Sequence, residues 1–213
     1  MPDLGRVVAE LERAWPGNRA VNLVFHGHSV PAGYAATPVV DRRSAYPQVV
    51  AARLAELRPR AVLNAIVTAV GGEHSEAGAG RIVEVLGHRP DVVLIDYALN
   101  DRVIGLERAR RAWESMIAAV LGAGAVPVLI TPSPDLTADL ADPEDPLAQH
   151  AEQIRELAAR QVLPLADPFR VFRRLHAEGY SLAELMAQPN HPNGRGHAII
   201  AAEILELFAA AHE

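Results

Sequence analysis

Four short polar stretches of this chain carry residue types that can do chemistry on a carbonyl group. They are Gly27-His28-Ser29, Gly71-Gly72-Glu73, Ala98-Leu99-Asn100-Asp101 and Gln188-Pro189-Asn190-His191, the last followed by Pro192-Asn193 and Gly196-His197. A serine hydroxyl becomes a nucleophile when a base takes its proton, and histidine suits that task near neutral pH. Backbone N–H groups and an asparagine amide can face the negative charge that builds on a carbonyl oxygen. Ser29 is therefore the candidate nucleophile and His191 the candidate base. The oxyanion donors are expected from the Ser29 N–H, the Gly72 N–H and the Asn100 amide, with Gly71 as the alternative to Gly72. Asp101 is expected to orient the Asn100 loop, and His197 to be structural.

Each residue has a plainer reading when taken singly. A serine after a strand usually caps a helix or forms a turn. A histidine in a Pro/Asn/Gly-rich turn is usually surface, and Asn100 could simply cap a helix. The argument rests on the set and on the order of its members. Among the nine histidines, His26 and His28 form a His-x-His pair that could suit a metal. No third ligand at helical spacing and no His-Glu-x-x-His motif accompanies them. The expectation is no metal and no cofactor, with a metal-dependent hydrolase using His26 and His28 as an alternative. No glycine-rich phosphate loop of the dinucleotide or Walker type is present.

The elements that must position these groups follow from the hydrophobic pattern. Short apolar runs at Val21–Phe25, Ala61–Ile66, Val92–Asp96, Val126–Thr131 and, more weakly, Val162–Leu165 read as strands. Amphipathic segments at Tyr46–Leu57, Gly80–Leu86, Leu106–Leu121, Leu147–Arg160 and about His197–Ala210 read as helices. Their alternation predicts a five-stranded parallel sheet in one three-layer α/β/α domain, residues 1–213, of flavodoxin-like type. In such sheets ligands bind beyond the carboxyl ends of the strands, where three of the polar stretches fall; the fourth precedes the last helix, and all four would converge on one edge. The piece Thr131 to Pro146 is the longest loop, either a cover for the site or plain surface.

Composition bounds the rest. The 213 residues are 50% hydrophobic and 22% charged, with only 5% aromatic, which suits a core of Ala, Val, Leu and Ile. A net charge of −6 with no basic cluster argues against a nucleic-acid groove. The chain has no cysteine, which excludes disulfides and thiolate chemistry. No signal-peptide pattern and no stretch long enough to cross a bilayer is seen, so a cytoplasmic protein without membrane contact is expected.

Taken together, the four stretches resemble the blocks of the SGNH (GDSL-like) hydrolase superfamily over nearly the whole chain. Its Gly-Asp-Ser block appears as Gly27-His28-Ser29, and its lone glycine as Gly72. Its Gly-x-Asn-Asp block appears as Ala98-Leu99-Asn100-Asp101. The final Asp-x-x-His block appears as Gln188-Pro189-Asn190-His191. The resemblance implies a serine esterase or acylhydrolase with an acyl-enzyme mechanism. Its substrates would be small acyl esters, acetyl groups on carbohydrate among them. The departure that matters is Gln188, which stands where the family has its acid. An amide can orient the histidine but supplies no full charge, so a Ser29–His191 dyad is expected. Gln188, Glu73, Asp41, Asp135 or a backbone carbonyl are the groups that could assist His191. A weakly active acyl-transfer or binding protein on the same fold is the other alternative. Tyr34, Tyr97 and Trp113 are candidates for stacking on a sugar.

Overall fold

The computed structural model describes residues 3–211. Helix α1 (Leu4–Leu11) leads into strand β1 (Ala20–Gly27), the one-turn helix α2 (Ser29–Ala32) and α3 (Tyr46–Leu57). Then come β2 (Val62–Val67), α4 (Ser75–Gly80), α5 (Ile82–Gly87), β3 (Val92–Asp96), α6 (Ala98–Asp101) and α7 (Leu106–Gly122). The chain continues through β4 (Val126–Ile130), α8 (Pro146–Gln161), β5 (Leu165–Ala166) and α9 (Pro168–Ala177). A 3₁₀ turn (Leu182–Leu185), the short strands β6 (Met186–Gln188) and β7 (His191–Pro192), and α10 (Gly194–Ala210) complete it.

The first five strands form one parallel sheet in the order β2-β1-β3-β4-β5. This is the expected flavodoxin-like, doubly wound order, and the three layers are as expected. The pleat sends alternate residues to opposite faces. Leu23, Phe25, Val92, Leu94 and Val128 face a core built with α1, α3 and α10. Val24, Val93, Ile95 and Leu129 face a second core built with α7 and the end of α8. The central strands are buried on both faces, which is why they read as continuous apolar runs. Each large apolar side chain buried there, such as Phe25 or Trp113, stabilises the fold by roughly 1.5–3 kcal/mol.

The fifth strand differs from its expected span, Val162–Leu165. Val162 is the C-cap of α8, in the left-handed region at φ 53°, and Pro164 has no N–H to give a ladder. Pairing with β4 begins only at Leu165. The expected helix at Gly80–Leu86 is two short helices joined at Arg81. Helix α9 and the β6–β7 pair are additional elements. None of the described helices is long and apolar enough to cross a membrane.

Candidate functional site

The first strand ends by running directly into α2, with no loop between them except His28. Gly27 is required there by a close approach rather than by an unusual φ. A Cβ at this position would lie 2.5 Å from the Asp96 carbonyl oxygen and 2.8 Å from the Pro31 ring. Helix α2 therefore starts tight against the end of β3, and Ser29 is its first residue. Gly33, at φ 90°, ends the turn in the left-handed region.

His191 arrives from the other end of the chain on β7. Its Nε2 lies 2.8 Å from Ser29 Oγ. Asn193 caps α10 by accepting from the N–H groups of Arg195 and Gly196. Its side-chain N–H donates back to the Glu184 carbonyl at 2.8 Å and more weakly to the Met186 carbonyl at 3.4 Å, tying the helix start to the 3₁₀ turn and the first residue of β6. A Cβ on Gly196 would meet the Leu185 carbonyl at 2.4 Å, so the helix start packs directly on that segment.

Two groups occupy the Nδ1 side of His191. The Ala35 carbonyl oxygen lies 3.2 Å away and accepts an Nδ1–H. The Gln188 side-chain nitrogen lies at 2.6 Å. The Gln188 oxygen is occupied elsewhere, accepting from the Thr37 N–H at 3.1 Å and the Thr37 hydroxyl at 3.2 Å. The Gln188 nitrogen also donates to Asn190 Oδ1 at 3.3 Å. Ala35 thus favours a proton on Nδ1, and Gln188 in this orientation favours a bare Nδ1. Only the first leaves Nε2 free to accept from Ser29. None of the three acids considered from sequence meets Nδ1. Glu73 pairs with Arg81 at 2.6 Å, Asp135 with Arg102 at 2.7 Å, and Asp41 accepts from the Ser44 N–H. Burial holds the His191 pKa below the ordinary histidine value, the Ala35 carbonyl opposes this, and the neighbouring His28 adds to it.

The loop after β2 brings the other donors. Gly72 has φ 81°, a region that disfavours side chains, and a Cβ there would meet nothing within 4 Å. Among the described residues no backbone acceptor meets its N–H. As the first residue of a helix, Ser29 likewise has no intrahelical acceptor for its N–H. Gly71 is confined for another reason, the Tyr34 ring, which a Cβ would meet at 3.1 Å. Asn100 Nδ2 donates to the Glu73 carbonyl at 2.8 Å, which joins the Asn100 turn to the Gly72 loop and leaves its second N–H free of that bond. Asp101 accepts from the Ser75 N–H and from Trp113 Nε1, each at 2.7 Å. It thereby fixes α6 against the start of α4 and the middle of α7, and burial raises its pKa.

Other sequence candidates lie apart from this group. His26 is fully buried between the Thr68 hydroxyl, the Gly78 carbonyl and the Tyr97 hydroxyl. Burial lowers its pKa to about 4. His28 points the other way, toward Asp96. No group of three His, Cys, Asp or Glu that could hold a metal occurs among the described residues. Tyr97 and Trp113 are fully buried and offer no stacking face. Tyr34 is 41% exposed with its ring centre 6.1 Å from that of His191. His197 is buried in α10 and accepts from the Tyr46 N–H. The sequence reading missed Ala35 and Thr37. Ala35 acts through its carbonyl and Thr37 through its N–H as well as its hydroxyl, and nothing in residue type marks a backbone carbonyl or N–H for such a task.

Known proteins can be compared with this geometry. No curated protein sequence matches the chain. Among solved structures, a two-domain esterase (CEX) active on acetylated mannans is 20% identical with a TM-score of 0.79. The match covers 98% of this chain and 53% of that one, so the chain spans about half its length. Axe2, an acetylxylan esterase from Geobacillus stearothermophilus, is 19% identical over 88% of this chain and 94% of that one, TM-score 0.74. Two further structures of that esterase are catalytic mutants, one at a serine and one at a histidine. The psychrotrophic esterase EstA from Pseudoalteromonas sp. is 16% identical over 89% and 97%, TM-score 0.67. At these identities the likeness is one of fold. Residues 25–199 match the GDSL-like Lipase/Acylhydrolase family, a span that runs from the last residues of β1 into α10, and the chain belongs to that family.

Proposed function

We propose that this protein is a serine ester hydrolase in which Ser29 is the nucleophile and His191 the base. The observation that carries the reading is the 2.8 Å contact between Ser29 Oγ and His191 Nε2 at the ligand-binding edge of the sheet. His191, protonated on Nδ1 toward Ala35, takes the Ser29 proton as Oγ attacks an ester carbonyl. The tetrahedral oxyanion is met by the N–H groups of Ser29 and Gly72 and by the Asn100 amide. His191 then gives its proton to the leaving alcohol. Water attacks the resulting acyl-enzyme with His191 again as base, and the acid is released.

For substrate we propose small acyl esters, with O-acetylated carbohydrate as the class to try first. Two proteins of similar fold are an esterase active on acetylated mannans and an acetylxylan esterase. Here Tyr34 offers an exposed ring beside His191. We read the chain as a single catalytic domain that needs no cofactor. The weaker acyl-transfer reading draws on Gln188, which supplies no charge to His191.

The test is hydrolysis of p-nitrophenyl acetate and of acetylated oligosaccharides by the wild type and Ser29→Ala. Loss of about 10³-fold or more in kcat is expected. Equal rates would remove Ser29 from the nucleophile's role. Rapid labelling by a fluorophosphonate with slow hydrolysis would favour the acyl-transfer reading instead.

A further inference from the structure

A second imidazole stands next to the nucleophile, and the reaction scheme does not use it. His28 is fully buried, the residue immediately before Ser29. Its Nδ1 accepts the Val30 N–H at 3.3 Å, which makes it the N-cap of the one-turn helix that begins at Ser29. Its Nε2 faces Asp96 Oδ1 at 3.4 Å, both side chains being within a few per cent of full burial. By hydrogen-bond geometry neither of these two buried atoms has a partner among the described residues, so their closest polar neighbour is each other, at a separation just too loosely aligned to count as a bond. The second oxygen of Asp96 accepts from the Tyr46 hydroxyl at 3.0 Å.

This geometry fixes the state of the ring. A nitrogen that accepts the Val30 N–H must be bare, so the His28 proton is on Nε2, where Asp96 can accept it. A doubly protonated ring would turn a donor toward the Val30 N–H. We infer that His28 is a positioning residue for Ser29, held by Asp96 in the Nε2–H tautomer so that its bare Nδ1 caps the Val30 N–H and sets the aim of the Ser29 turn. The inference rests on the reading of Ser29 as nucleophile.

A positioning group is needed here for a physical reason. A single helical turn fixes several dihedrals for very few hydrogen bonds and does not hold by itself. Helix α2 carries both the attacking Oγ and one oxyanion N–H on its first residue, so any loosening moves two reacting partners at once. The cap acts at the peptide next to both. Tyr46 extends the support, because its N–H also meets His197 on α10, the helix that follows His191. One buried polar chain thus joins the turn of Ser29 to the helix behind His191.

The experiment compares His28→Leu, His28→Asn and Asp96→Asn by kcat and KM for p-nitrophenyl acetate, and by the rate of fluorophosphonate labelling. His28→Leu removes the acceptor, and a misplacement on the order of 1 Å lowers kcat by about 10²-fold with KM little changed. His28→Asn offers Oδ1 as an ordinary N-cap and restores most of that loss. Asp96→Asn lowers kcat when His28 is present, because the tautomer is no longer imposed, and costs little in the His28→Asn background. Wild-type kcat in His28→Leu, or an equal cost of Asp96→Asn in both backgrounds, overturns the inference. If the variants do not fold, the ¹⁵N spectrum of the wild-type imidazoles decides: a protonated Nε2 and bare Nδ1 on His28 support it, and the reverse overturns it. Ser29→Ala keeps the two readings apart, since activity surviving in that variant removes the nucleophile and leaves the tautomer of His28 untouched.

Discussion

At the scale of single residues, the unusual feature is an amide where an acid would serve better. The Gln188 amide faces three donors or potential donors: the Thr37 N–H, the Thr37 hydroxyl and His191 Nδ1. With its oxygen toward Thr37, its nitrogen faces Nδ1, and the base-competent tautomer then sets one N–H against another. Turning the amide over frees Nδ1 but sets the nitrogen against the Thr37 N–H. A carboxylate would accept from both Thr37 and His191 Nδ1, giving up only the long 3.3 Å bond that the amide nitrogen donates to Asn190 Oδ1. Gln188→Glu is therefore expected to raise kcat by about tenfold or more, against the roughly 10⁴-fold loss on Asp→Asn in the serine-protease case. The pH dependence should move with it. The His191 pKa is held below the ordinary histidine value, chiefly by burial, so wild-type kcat/KM falls with acidification only below about pH 6.5. An added negative charge favours the imidazolium and moves that midpoint upward. Unchanged kcat and an unchanged acid limb in a folded Gln188→Glu protein would show that Ala35 alone governs the tautomer.

At the scale of elements, the catalytic distance depends on how two distant segments are tied down. The β6–β7 hairpin is held at one end by Asn193 and at the other by the loop after β4, where the Leu136 N–H donates to the Pro189 carbonyl at 2.8 Å. That loop is itself fixed by Asp135, which pairs with Arg102 and accepts from Thr137. Asn193 does two separable things, capping α10 through its oxygen and holding Glu184 through its nitrogen. Asn193→Ala should cost about 1 kcal/mol of stability, read as a lower denaturant midpoint, and should reduce kcat as well. Asn193→Asp keeps the cap and loses the tie, so stability is largely kept while kcat falls. Equal kcat in Asn193→Asp and wild type would show that the tie does not position His191. The same elements show what the sequence made readable. Strands buried on both faces announce themselves as Val, Ile and Leu runs, so β1, β3 and β4 are readable nearly to the residue; Ser29, Gly72 and Asn100 are candidates at the ends of three strands, and His191 stands out only by its place before the last helix and by the family resemblance. The two-residue β5 is not readable in this way, because Val162 in a left-handed cap mimics a strand residue by composition. The Gly-rich α4 has low helix propensity and is held by Ser75 against Asp101, a contact separated by 26 positions in the chain.

At the scale of the whole molecule, both cores enclose histidines that must stay neutral. His26 lies between β1 and the Tyr97 side of the sheet, His197 between α10 and α3, and His150 on the buried face of α8 with its Nδ1 unpartnered among the described residues. Burial lowers each pKa to about 4. In the unfolded chain each returns to about 6.5. Between these values the unfolded state binds more protons than the folded one, so the stability these groups permit is whole above about pH 6.5 and is lost as pH falls toward 4. Asp101 and Glu203 oppose the trend, since burial raises their pKa values and lets the folded state take up protons first. The three rings act together in this window, each losing on the order of 1–2 kcal/mol between pH 7 and pH 5. For a chain of this size that corresponds to a fall in Tm of roughly 10 °C over the same interval. Thermal unfolding followed by circular dichroism across that range checks it, and a flat Tm would mean that the three rings are not neutral in the folded state. His150→Leu separates the histidine effect from general acid sensitivity, because it removes a titrating ring with an unpartnered nitrogen while keeping an apolar side chain on α8. Its Tm should fall less steeply with acidification than that of the wild type, and its activity at neutral pH should be kept, since His150 forms no part of the Ser29–His191 arrangement.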